Sequence, residues 1–310
     1  MSFWKNNPCV PTWLGTAQAW WSNAPPRLLE PAPTPPARHS LPGLVMTKGT
    51  VADAQEVAHF LSRWFSSSQR ARADVPSAAV AAAVQGGRWD IWIVRRSSGE
   101  IVGTLVRRWI QDLVIGLARW PRAGVVDFFA VHPAFRARGV GRWLLSTLQA
   151  STARPIPPHL ILWEGIGSVP PLAWGQLWSL STAGAPPDAQ AQKIIDPASQ
   201  VKAWSKLVRN TFLHSAWITS TETTLWQTPA GVVAVQDLYH RSVPEGWRMA
   251  MIIAATTPEA VAAFVSTSPW PLLLADRAWD SRWKSDSPFQ WVGYNVLAGT
   301  VTTSYPCIGL

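Results

Sequence analysis

The sequence predicts an α+β protein. Two similar halves, each a mixed and mostly antiparallel sheet flanked by helices, are expected to pack into one body, with an extended arm at the N-terminus. Three observations predict this. The 310 residues suffice for two modest domains with real cores. Hydrophobic residues make up 47% of the chain, too many for a disordered protein. The helix-then-meander order read in residues 46–183 returns in 184–310, without a residue-level repeat.

Residues 1–45 are proline-rich, with PAPTPPARHSLPG in the middle, and read as an extended arm. Phe3 and Trp4 at its start are candidate anchors. In VADAQEVAHFLSRWF the apolar residues Val51, Val57, Phe60, Leu61, Trp64 and Phe65 give an amphipathic helix, with Asp53 and Glu56 in its first turn. Pro76-Ser77 opens an alanine-rich helix that Gly86-Gly87 ends. Residues 89–96 and 101–107 read as a hairpin around Ser97-Ser98-Gly99-Glu100, with 109–117 extending it into a third strand. HLILWEG is a further strand, and PPLAWGQLWSL is mixed. The second half reads as a helix over 199–211, strands over 216–222, 231–239 and 247–254, a helix over 258–265, and strands over 272–275 and 289–296.

The formal net charge of +9 favours an anionic partner such as CoA, nucleic acid or a membrane surface. The arginines form no dense run with interleaved aromatics, so nucleic acid ranks last. Cys9 and Cys307 make no disulfide framework or paired metal motif, and the six histidines lack ligand spacing, so no metal is expected. No apolar run is long enough to span a bilayer, and the N-terminus has no signal-peptide core, so a cytoplasmic monomer is expected. The 21 tryptophans suit broad apolar surfaces or a large apolar ligand site, and equally suit compositional drift.

The stretch that organises the chain is 125–148, VVDFFAVHPAFRARGVGRWLLSTL. Val125, Val126, Phe128, Phe129 and Val131 read as a buried strand, and His132-Pro133 stops it. Arg136, Ala137, Arg138, Gly139, Val140 and Gly141 form a basic turn, and Trp143, Leu144, Leu145 and Leu148 then take helical spacing. The first amides of a helix have no internal partner and sit at the positive end of its dipole. Glycines without side chains and three arginines make that end a fit for a pyrophosphate.

This string resembles the acyl-CoA-binding motif of the GNAT fold. Over nearly the whole chain the sequence further resembles the N-myristoyltransferase family, which is built of two GNAT-like halves. Phe3-Trp4-Lys5-Asn6-Asn7-Pro8-Cys9-Val10-Pro11 is similar to the family's F-W-x-T-Q-P-V-P opening. Asp127-Phe128-Phe129-Ala130-Val131-His132 is similar to its N-F-L-C-V-H. Gly165-Ile166-Gly167-Ser168-Val169-Pro170-Pro171, running on to Trp178, is similar to A-G-V-V-L-P-x-P, and Asp286 to Asn295 to the family's D-G-N-L-Q-Y-Y-L-Y-N.

The resemblance implies transfer of myristate from myristoyl-CoA to the N-terminal glycine amine of a peptide, with no permanently bound cofactor. It implies an oxyanion hole at the amides of Phe128 and Phe129 and a base in the terminal carboxylate of Leu310. Asp127 stands where the family has asparagine; either it or Glu164 is a candidate to assist that base, the alternative for at least one of them being a solvated or ion-paired carboxylate. CoA contacts are implied for Phe3, Trp4, Val131 and residues 136–141. Acceptor contacts are implied for Gly165, Trp178, Asp286 and Tyr294, with residues 46–183 as the acyl-CoA half and 184–310 as the peptide half. Trp163 and Glu164 replace the family's threonine and alanine. Ser66 to Asp74 lacks the family's acidic cluster and carries Arg70 and Arg72, which admits acidic or neutral peptides. The compact chain hints at a large DNA virus, with host cytoplasm as the location, or at a divergent microbe. The alternatives are a generic GNAT enzyme using acetyl-CoA or another short acyl-CoA, and an inactive acyl-CoA binder.

Overall fold

A computed structural model describes residues 27–28, 41–67, 71–115, 118–150, 159–164, 173–182, 191–208, 223–243, 245–275, 278–293 and 296–297. They divide into two compact units. The first holds the described residues of 1–66, 73–173 and 290–302, and the second those of 67–72 and 174–289.

The first unit begins with β1 (Leu44–Lys48), two residues ahead of the expected start of the globular part. Thr50 then opens the helical segment: its amide donates to Asp53 Oδ2 at 2.7 Å. Helix α1 (Ala54–Trp64) follows and buries Val57, Phe60 and Leu61 of the predicted stripe, whereas Val51 lies ahead of the helix and is exposed, and Trp64 and Phe65 are half-buried. The acids of its start serve the sheet as well. Arg95 Nη2 lies 2.9 Å from Asp53 Oδ1 and Nη1 lies 2.6 Å from Glu56 Oε2. Helix α2 (Ser77–Gln85) ends where Gly87 turns to φ +65°.

Three antiparallel strands come next: β2 (Trp89–Arg96), β3 (Ile101–Ile115) and β4 (Ala118–Val131). Residues 109–115 are not a third strand. They are the far end of β3, because the ladder with β4 runs unbroken from Val106↔Asp127 to Gln111↔Arg122 and resumes at Leu113↔Trp120. Helix α3 (Val140–Ala150) leads to β5 (His159–Glu164), which pairs parallel to β4. The sheet order is β1-β2-β3-β4-β5. Its core joins Trp92, Val94, Val102, Leu105 and Val126 to Val140, Leu144 and Leu145 of α3.

The second unit contains β6 (Ala173–Ser181) from Trp174 on, β7 (Gln192–Lys193), α4 (Pro197–Val208), β8 (Thr223–Thr228), β9 (Gly231–Ser242), β10 (Arg248–Ala255), α5 (Pro258–Val265) and β11 (Leu272–Ala275). Strand β12 (Lys284–Gly293) falls partly in each unit. The order of helix, antiparallel meander, helix and parallel strand repeats that of the first unit, since β10 and β11 are parallel with α5 between them. Thr257 caps α5 by accepting from the Ala260 amide at 3.1 Å, and Phe264, Val261 and Val265 bury against Val233, Val235 and Ile252.

The sequence reading missed β6 and β8, and the expected strand over 216–222 lies outside the described residues. Strand β12 starts five residues ahead of the expected 289 and carries Pro288 within it. A proline is tolerated in a strand where the ladder does not need its N–H. Arg27–Leu28 pairs antiparallel with Val296–Leu297. Among the described residues no helix is long and apolar enough to cross a membrane.

Candidate active site

The strand that was expected to carry the chemistry is broken at that place. Thr104 of β3 pairs with Ala130 and Val106 pairs with Asp127, so Phe128 and Phe129 together face Leu105. This is a β-bulge, which bends a strand and re-aims its groups. Phe128 sits at φ +43°. A non-glycine residue there costs on the order of 1–3 kcal/mol and persists only where its surroundings fix it. Those surroundings are aromatic. The Phe128 ring is 2% exposed, 5.4 Å from Phe65 and 5.5 Å from Trp89 between ring centres.

Asp127 holds the bulge from the backbone side. Its Oδ1 accepts from the Phe128 amide at 2.7 Å, and its Oδ2 lies 2.9 Å from Arg108 Nη2 on β3. The Phe128 amide, one of the two expected oxyanion donors, therefore already has an acceptor.

Two residues of the turn that follows take left-handed backbone. Ala137 is at φ +60° and Gly139 at φ +88°. The His132 side chain accepts from the Ala134 amide at 3.2 Å through Nδ1, and Arg136 Nε donates to the Val131 carbonyl at 3.1 Å. The guanidinium carbons of Arg138 and Arg96 lie 5.5 and 5.7 Å from the Phe135 ring centre. The first intrahelical bond runs from the Trp143 amide to the Gly139 carbonyl at 2.9 Å. The amides of Val140, Gly141 and Arg142 thus precede the helix's own ladder, as an anion site requires. Arg136, Arg138 and Arg142 are all exposed beside them.

Gly141 does something other than clear space for a ligand. A Cβ there would stand 3.0 Å from Phe129 Cζ, so the glycine makes room for the Phe129 ring, which is 38% exposed. Gly103 on β3 has a matching role. A Cβ there would meet Val140 Cγ1 at 2.9 Å and Leu144 Cδ1 at 3.2 Å, so α3 is seated on the sheet at this residue.

Phe128, Phe129, Val131, Arg136, Ala137, Arg138, Gly139, Val140 and Gly141 therefore come together as one strip of the first unit. Trp178 and Asp286 lie in the second unit, both partly buried. Phe3, Trp4, Gly165, Tyr294 and Leu310 lie outside the described residues. Sequence reasoning passed over Arg108, Gly103, Phe65 and Trp89. The signals were an arginine pair inside an apolar strand, which must be partnered, and a glycine within a strand, which marks close approach.

The other arginine of that pair supports the sheet. Arg107, 4% exposed, donates from Nη2 to Asp90 Oδ2 at 2.6 Å, and Trp109 Nε1 donates to the same oxygen at 2.7 Å. Lys48 Nζ lies 2.6 Å from Asp90 Oδ1. Burial pushes the Asp90 carboxyl up, but Lys48, Arg107 and Trp109 together outweigh it and hold the group below its ordinary value.

Residues 58–154, which span the bulge and the turn, match the acetyltransferase (GNAT) family profile and so support an acyltransferase. No curated protein matches the chain in sequence. Among solved structures, Saccharomyces cerevisiae N-myristoyltransferase with bound myristoyl-CoA superposes with a TM-score of 0.69 at 10% identity, over 96% of this chain and 88% of that one. The same yeast enzyme with myristoyl-CoA and inhibitors gives a TM-score of 0.71 at 10% identity, over 96% and 90%. A protein from Pyrococcus horikoshii assigned to the acetyltransferases gives 0.52 at 10% identity, over 86% and 94%. The fold is GNAT-like. Likeness at these identities speaks for the fold alone.

Proposed function

We propose that this protein transfers myristate from myristoyl-CoA to the amine of an N-terminal glycine. One observation carries the reading: the bulge at Phe128–Phe129 runs directly into the glycine turn that opens α3, so a thioester and a pyrophosphate have their anchors on one continuous strip. The choice of acyl group comes from the sequence resemblance to the N-myristoyltransferases, and the fold likeness over 96% of the chain is compatible with it.

In this reading the glycine amine attacks the thioester carbonyl, and bulge amides stabilise the tetrahedral oxyanion. The carbon–sulfur bond then breaks and CoA leaves as its thiolate, which is protonated to the thiol by the proton the amine gives up. The terminal carboxylate of Leu310 takes the amine's proton. Phe3 and Trp4 cover the CoA, while Gly165, Trp178, Asp286 and Tyr294 meet the acceptor peptide. Asp127 is a further candidate beside the base. Adding a few residues after Leu310 then abolishes transfer while acyl-CoA binding persists. Full turnover by such a variant would remove the carboxylate from the mechanism.

A second reading is favoured by the GNAT profile match, which covers residues 58–154 and names acetyltransferases. In it the chain uses acetyl-CoA or another short acyl-CoA. Turnover with acetyl-, octanoyl- and myristoyl-CoA decides between the two, because each buried methylene contributes roughly 0.8 kcal/mol. Rates rising steeply to myristoyl support the first reading, and a preference for acetyl supports the second. Binding of myristoyl-CoA without transfer to any peptide would leave an inactive acyl-CoA binder.

A further inference from the structure

The bulge holds an arrangement that the transfer reaction leaves unexplained. The amide of Phe128 gives its proton to Asp127 Oδ1 at 2.7 Å, and Oδ2 lies 2.9 Å from Arg108 Nη2. An amide has one proton to donate. While Asp127 takes it, the carbonyl oxygen of an acyl group cannot. An oxyanion forming at that amide would also face a carboxylate at hydrogen-bonding distance. Asp127 occupies the place of the oxygen that the Phe128 amide is expected to serve.

We propose that Asp127 is an internal competitor for the acyl oxygen, and that Arg108 is the group to which it withdraws. In the closed arrangement, which the structure shows, the carboxylate is shared between the Phe128 amide and Arg108. In the open one both its oxygens lie on Arg108, whose planar guanidinium suits a bidentate carboxylate. The Phe128 amide then meets the thioester carbonyl. This coupling rests on the acyl-CoA reading of the site and adds its regulation. It also sets a chemical selectivity: only a ligand with a carbonyl oxygen at the bulge competes with Asp127, whatever its alkyl chain and nucleotide contribute.

Isothermal titration of the full chain with myristoyl-CoA, and with tetradecyl-CoA, a thioether without that carbonyl, tests the proposal. Asp127→Ala frees the amide and should tighten myristoyl-CoA by about fivefold, the effect of roughly one net hydrogen bond, while tetradecyl-CoA is unchanged. Arg108→Leu removes that donor, leaves the carboxylate the amide and should weaken myristoyl-CoA by a similar factor, again without changing tetradecyl-CoA. If either variant shifts both ligands equally, the pair is merely structural and the competitor is overturned. It is likewise overturned if Asp127→Ala leaves myristoyl-CoA affinity at the wild-type value. Failure of the acyl-CoA reading itself looks different: no form of the protein binds either ligand, and the competitor falls with it.

Discussion

The ring of Phe129 lies against the backbone of Gly141, so close that a Cβ on the glycine would stand 3.0 Å from Phe129 Cζ. One residue belongs to the bulge of β4 and the other to the first turn of α3. Their contact ties the bulge to the start of α3.

Replacing Gly141 with valine should therefore displace the ring and the bulge behind it. Overpacking of this kind costs about 1–3 kcal/mol, and where it falls on the binding strip it appears as a loss in affinity of about tenfold. Titration with myristoyl-CoA checks this, with circular dichroism to confirm that the variant is folded. Unchanged affinity would separate the Phe129 ring from the binding strip.

Phe128→Ala keeps the left-handed backbone but removes the ring that holds it. Losing the contacts with Phe65 and Trp89 should cost about 3–5 kcal/mol in urea unfolding, the usual range for a buried phenylalanine. A loss below about 1 kcal/mol would mean that Asp127 alone holds the bulge.

Gly103→Ala tests how α3 is seated. The new methyl would meet Val140 Cγ1 at 2.9 Å and Leu144 Cδ1 at 3.2 Å, both members of the first unit's core. A destabilisation of about 1–3 kcal/mol is expected, together with faster amide exchange in α3 from Trp143 onward. Protection that stays at the wild-type level there would contradict the seating.

Much of this was legible in the sequence. Helix α5 and strands β2 and β11 lie where periodicity placed them, because their apolar residues recur cleanly and Thr257-Pro258 and Gly99 punctuate them. The glycine turn was legible from Gly139, and α3 from the spacing of Leu144 and Leu145. The bulge was not. Nothing in Asp127-Phe128-Phe129 marks a register shift, since that depends on which residues of β3 lie opposite. Nor could the sequence show that Arg108 meets Asp127, nineteen positions away, because that pairing follows from the β3–β4 ladder. Strand β6 escaped notice because glycine interrupts its tryptophans and leucines, so no period emerges from its local residues.

Asp90 should contribute to the acid sensitivity of the first unit. Its folded value lies below the ordinary 3.8, so its contribution is fully present above that value. The contribution is lost as pH falls through the lower folded value. Asp90→Ala should cost about 3–5 kcal/mol near neutrality by leaving Arg107 buried and unpaired, and should flatten the stability profile below 3.8. Urea midpoints measured across that range check both effects. An unaltered acid slope would assign the sensitivity to other carboxylates.

The most direct test of the central claim is mass spectrometry of a pool of glycine-starting peptides after incubation with the protein and myristoyl-CoA. The account predicts a gain of one myristoyl group on the peptide N-terminus, absent when acetyl-CoA replaces the donor. Acetylated peptides with no myristoyl product would contradict it.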